Sequence, residues 1–111
     1  MDLAIIYVTA PSSEEALRIS QALLNEKLIA CANILNGMTS VYEWQGEVHQ
    51  DSEVVLLLKT HPTRIREVTE RVLALHSYET PCVFALHSHE GSRPFFDWVR
   101  KCLGPEDTLI V

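Results

Sequence analysis

At 111 residues the chain has the length of one domain, and 47% hydrophobic with 22% charged residues is the composition of a globular protein, not a disordered or fibrous one. A formal net charge of -6, with nine Lys and Arg residues forming no dense run, excludes the usual nucleic-acid binders. No apolar stretch reaches membrane-spanning length, and Met1-Asp2-Leu3 leads into strand-like sequence without the basic region of a signal peptide, so the expected location is the cytoplasm.

Residues 4–8 read as a short buried strand, stopped by Thr9-Ala10-Pro11. Ser12 and Glu15 match the S-x-x-E capping box, and Ala16, Ile19, Leu23 and Leu24 then recur at helical spacing to about Lys27. Residues 28–34 are apolar at nearly every position, as in a strand covered on both faces. Asn36-Gly37 looks like a bend or bulge because strand formers resume at Thr39 and continue through Tyr42 and Trp44. Gln45-Gly46 marks a tight turn, and the return strand passes from a polar outer half, residues 47–53, into the apolar run 54–58 and Lys59.

Pro62 suits the first turn of a second helix with an apolar stripe of Ile65, Val68, Val72 and Leu75. A fourth strand is expected at 82–86 and a polar loop at 87–93. A short third helix then carries Phe95, Val99 and Cys102 or Leu103, with Trp98 packing nearby, and 108–111 could add an edge strand. The order β-α-β-β-α-β predicts an α+β, ferredoxin-like single domain over residues 1–111, with a long hairpin between its second and third strands. Two helices cover one face of such a sheet. The other face, and the long ribbon's unpaired edges, call for a second copy of the chain.

Several segments resemble the CutA divalent-cation tolerance family. They are Glu26-Lys27-Leu28-Ile29-Ala30-Cys31-Ala32-Asn33, Thr39-Ser40-Val41-Tyr42-Glu43-Trp44-Gln45-Gly46, the stretch from Ser52-Glu53-Val54 to Leu58-Lys59-Thr60, His76-Ser77-Tyr78-Glu79-Thr80-Pro81, and Phe95-Phe96-Asp97-Trp98. The resemblance implies a homotrimer, similar in architecture to PII signalling proteins, with a role in copper and divalent-metal tolerance and no established catalysis. It also implies a copper site on a first-strand cysteine and two adjacent histidines. Those positions here hold Val8, Leu75 and His76, so one donor of the three is present. Cys82 stands where the family usually has glutamate, and Ser77 where it usually has proline.

Copper, or another divalent cation, needs converging thiolate, thioether, imidazole or carboxylate donors. His76 is the metal candidate, with Cys82, Cys31, His87 and His89 as further donors; Cys31, Cys82 and Cys102 form no Cys-x-x-Cys pair. The plainer alternatives are a helix-terminal imidazole for His76 and a small buried hydrophobe for Cys31. Lys59 closes an apolar strand and must reach solvent or an anion. With Cys31, Asn33, Glu53 and Tyr78 it is expected to line an intersubunit cleft for a small anion or metabolite, or to form a structural ion pair. Tyr42 and Trp44 are expected to pack between ribbons of the trimer. No phosphate-cradling glycine loop, nucleophile elbow or HExxH helix is present, so the chain does not read as an enzyme.

Overall fold

A computed structural model describes residues 1–104. Its elements are β1 (Leu3–Ala10), α1 (Ser13–Asn25), β2 (Cys31–Trp44), β3 (Glu47–Thr60), a 3-10 turn (Pro62–Arg64), α2 (Ile65–Leu75), β4 (Val83–Ser88) and α3 (Arg93–Cys102). The strands form one antiparallel sheet in the order β2-β3-β1-β4, the ferredoxin-like arrangement expected from the sequence. The edge strand suggested at 108–111 lies outside the described residues.

Period-2 alternation sorts the sheet into two faces. On the first, Ile6, Val8 and Ala10 of β1 and Val54, Leu56 and Leu58 of β3 pack against Ala16, Ile19 and Leu23 of α1 and Val68 and Val72 of α2. This is the core. Burying one such Val, Leu or Ile stabilises the fold by roughly 1.5–3 kcal/mol.

The second face is read from the strand register. Its rows run Cys31–Lys59–Ile5–Leu86 and Asn33–Leu57–Tyr7–Phe84, followed by Leu35–Val55–Thr9. At one end α3 covers this face, burying Phe96, Val99 and Leu103 with Leu3 and Ala30. The face is therefore not wholly bare, as the two-helix pattern implied. Beyond α3, Phe84, Leu86 and Leu35 remain about half exposed, at 48%, 52% and 53%.

The ribbon formed by β2 and β3 behaves as its turn residues dictate. Gln45 and Gly46 both take positive φ, 52° and 83°, the two-residue hairpin geometry whose twist matches the flanking strands. Gly37, at φ 80°, sits in the register shift between Leu35 and Met38, so the expected bulge is present.

Local expectations needed correction at several places. Residues 28–30 are not strand: Leu28, Ile29 and Ala30 are buried in a connection held by the Thr60 hydroxyl donating to the Leu28 carbonyl at 2.7 Å and the Ala30 amide donating to the Lys59 carbonyl at 2.8 Å. Burial, not pairing on both sides, explains that apolar run. In α3 it is Phe96 that is buried, with Phe95 only partly covered, and Trp98 is 45% exposed, stacked on Phe95 and not packed into the core. β4 extends through His87 and Ser88 because Ala4 and Leu3 supply pairing partners there.

Candidate functional site

The capping box at the start of α1 is only half made. Ser12 Oγ accepts from the Glu15 amide at 3.2 Å as expected, but the Glu15 carboxylate turns away and accepts from the Ser77 amide at 3.0 Å. It thereby ties the start of α1 to the segment that follows α2. Burial pushes the Glu15 carboxyl up, yet the Ser77 hydrogen bonds together with the charge of Arg18 outweigh it and leave the group below its ordinary value.

His76 ends α2 in an extended conformation, and its imidazole is fully enclosed. Nε2 lies 2.7 Å from the Thr9 carbonyl, which can only accept, so Nε2 carries the proton and donates. Nδ1 accepts from the Tyr78 amide at 3.0 Å, with the Glu15 carboxylate 3.4 Å away. Both ring nitrogens are engaged. The ring also packs against Tyr78, with centroids 4.8 Å apart. His76 is thus a strut that fixes Tyr78, and it bonds the carbonyl of a neighbouring strand instead of the helix end suggested by its position.

Tyr78 reaches β3, where its hydroxyl donates to Glu53 Oε2 at 3.0 Å. Burial, then the hydrogen bond and charge of Glu53, push the phenol up to about 12, so it stays protonated. Farther out, the Tyr42 hydroxyl donates to Asp51, and the His49 ring stacks on Tyr42 at 5.5 Å. Tyr78, Glu53 and Tyr42 border a cleft of about 560 Å³ between the ribbon, β1 and the segment after α2. Tyr7, Tyr42, Trp44 and Tyr78 supply its aromatic walls, and Glu53 and Glu79 its charge. Thr9 and Cys82 also face it.

The residues expected to share one cleft fall into two places within a chain. Glu53 and Tyr78 are bonded to each other, whereas Cys31 and Lys59 lie at the other end of the face and Asn33 in the row between, which it shares with Tyr7. Lys59 is six residues from Glu53 along β3, about 20 Å of strand, and its ammonium sits 5.5 Å over the Phe95 ring. Tyr42 and Trp44 are 42% and 51% exposed, on the face they share with Glu53.

The metal donors inferred by resemblance do not make a site in this chain. Val8 is core, Leu75 has no donor atom, and the His76 nitrogens are both occupied. Among the described residues no group of three His, Cys, Asp or Glu side chains is placed to hold an ion. Burial pushes the Cys31 and Cys82 thiols up, Lys59 opposing the effect at Cys31 and Glu53 adding to it at Cys82, so neither is an activated thiolate. His89 pairs with Asp2 at 2.6 Å.

Sequence reasoning missed Tyr7, Thr9, Ser40 and Glu79 in the cleft, and Glu15 behind it. For the ribbon residues a signal existed: once the bulge is allowed for, Met38, Ser40, Tyr42 and Trp44 share one face with Glu53 and Asp51. Glu15 offered none, because the capping box gave its carboxylate a local partner.

Residues 4–102 match the family model described as CutA1 divalent ion tolerance protein. The chain is 46% identical over 100 residues to the divalent-cation tolerance protein CutA of Thermus thermophilus, covering 90% of this chain and 97% of that protein. Against the chloroplastic CutA of Arabidopsis thaliana identity is 41%, over 87% of this chain but 53% of the plant protein. The crystal structure of CutA1 from Ehrlichia chaffeensis superposes with a TM-score of 0.89 at 38% identity, covering 93% of this chain and 96% of that one. The periplasmic divalent cation tolerance protein CutA of Archaeoglobus fulgidus gives a TM-score of 0.88 at 40% identity, over 91% and 98% of the two chains. No helix among the described residues is long and apolar enough to cross a membrane.

Proposed function

Since this chain belongs to the CutA1 divalent ion tolerance family, we propose that it serves divalent-cation tolerance as a cytoplasmic homotrimer, binding copper or another divalent cation where copies of the chain meet. The observation that carries this reading is the uncovered part of the second sheet face, with Phe84, Leu86 and Leu35 exposed beside a long two-stranded ribbon. A single chain offers no three-donor group among the described residues, so donors from more than one copy complete the cation site. That site differs from the cysteine and paired-histidine arrangement implied by resemblance. The groups in hand are binding groups, because the Tyr78 phenol and the Cys31 and Cys82 thiols are held protonated. No catalytic step is assigned to them.

Titrating the assembled protein with copper and with zinc tests the proposal. Saturable binding, approaching one ion per subunit and lost on dissociation into monomers, is the expected result. Binding that never saturates contradicts it.

The cleft supports a second reading, a trimeric sensor or scaffold similar to the PII proteins, holding a small ligand or a partner protein between subunits. Its volume of about 560 Å³ lies within the ordinary range for small-molecule sites, roughly 300–1,000 Å³. In that case the effect on metal tolerance is indirect.

A further inference from the structure

We propose that the cleft between the ribbon and the segment after α2 is a site for a small organic cation, an amine or alkylammonium group held by aromatic walls and the Glu53 and Glu79 carboxylates. This rests on the second reading above, that the cleft takes a small ligand. It differs from the small anion or metabolite expected from sequence: within one chain Lys59, the cation expected to attract an anion, lies at the other end of the face against Phe95.

Charge complementarity carries the argument. Among the described residues of one chain, Glu53 and Glu79 are the charged residues lining the cleft, and no Lys or Arg does so. The Tyr78 and Tyr42 hydroxyls are committed as donors to Glu53 and Asp51, which keeps those carboxylates beside the aromatic walls. An aromatic face attracts a cation through its quadrupole, and Trp44 with Tyr42 and Tyr78 is exposed enough to present one. The basic-capable neighbour, His49, stacks on Tyr42.

The same geometry separates an organic cation from a metal ion. A metal demands several donors converging at about 2–2.6 Å, and no three-donor group is present among the described residues. Dispersed carboxylates with aromatic walls suit a bulky, diffuse positive charge better. Nor is the cleft a surface for dry cover by a second copy. Burying Glu53 and Glu79 without a compensating charge would be costly, unlike burial of the apolar rows beside them.

The test uses three probes with one aromatic body and different charge: benzylammonium, benzyl alcohol and benzoate. A Trp98→Phe background leaves Trp44 as the fluorescent reporter, since the chain has two tryptophans and Trp98 lies on α3 outside the cleft. In EDTA-treated assembled protein, benzylammonium is expected to give a saturable change, binding about tenfold tighter than benzyl alcohol. Glu53→Gln should reduce that preference to below about threefold, with Glu79→Gln as the second variant should the first fail to fold. Alcohol or benzoate binding as tightly as benzylammonium overturns the cation inference while leaving the cleft a ligand site. No saturable response to any probe overturns both.

Discussion

His76 and Glu15 together position Tyr78, and each does so through backbone groups that would otherwise be left unsatisfied. The imidazole donates to the Thr9 carbonyl and accepts from the Tyr78 amide, while the Glu15 carboxylate accepts from the Ser77 amide. A proline at position 77, which resemblance would have implied, could not make that last bond. The Glu15 carboxyl sits below its ordinary value of 4.5, so the ionised form is favoured by folding. Its contribution is complete above that value and disappears as pH falls through the lowered folded value. Glu15→Gln should therefore destabilise the protein by about 1–2 kcal/mol at pH 7, a charged hydrogen bond being exchanged for a weaker neutral one. Denaturant melts at pH 7 and pH 3, at one protein concentration, should show the gap closing at the lower pH. An equal gap at both would mean that the carboxylate charge is not the source.

At the scale of the element, α1 ends in a way its sequence did not signal. The Leu28 amide donates to the Leu23 carbonyl at 3.0 Å and the Lys27 amide to the Leu24 carbonyl at 3.1 Å, with Lys27 at φ 61°. This pairing is the Schellman motif, whose left-handed position normally belongs to glycine. The lysine there carries a strain of roughly 1–2 kcal/mol, partly offset because glycine would be freer in the unfolded chain. Lys27→Gly should raise stability by about 0.5–1 kcal/mol, readable as a higher denaturation midpoint. A lower midpoint would show that the lysine side chain contributes more than the strain costs.

The elements that were legible from sequence carried period or turn chemistry. The helical stripe of α1 apart from the exposed Leu24, the stripe of α2, the bulge at Gly37 and the Gln45-Gly46 turn lie where those signals placed them. Residues 28–30 misled because an apolar run looks alike in a strand and in a buried connection. The shift from Phe95 to Phe96 in α3 has a similar cause, since two adjacent aromatics leave the helix phase open. The cleft was half legible. Glu53 and Tyr78 were named in advance for a cleft and Tyr42 and Trp44 for packing between ribbons, but the separation from Lys59 depends on distance along β3, which acquires meaning only once the register is known.

For the whole molecule the question is what covers the second sheet face beyond α3. Phe84, Leu86 and Leu35 leave about half of each side chain in water, and Val48 near the ribbon tip leaves 76%. Covering each would yield roughly 1–2 kcal/mol. Several together begin to offset the association cost of at least about 4 kcal/mol, and a ring closed by two contacts per chain gains twice over. The ribbon edge adds backbone donors and acceptors free to pair with another strand. A charge at Phe84, in the middle of the apolar rows, should oppose assembly while sparing the core on the opposite face.

Sedimentation equilibrium from submicromolar to micromolar concentration, on the unaltered chain and on Phe84→Asp, decides whether this face joins copies together. The expected outcome is one species of three times the 12.6 kDa chain mass that dissociates in the variant. A folded 12.6 kDa monomer persisting throughout that range would contradict it.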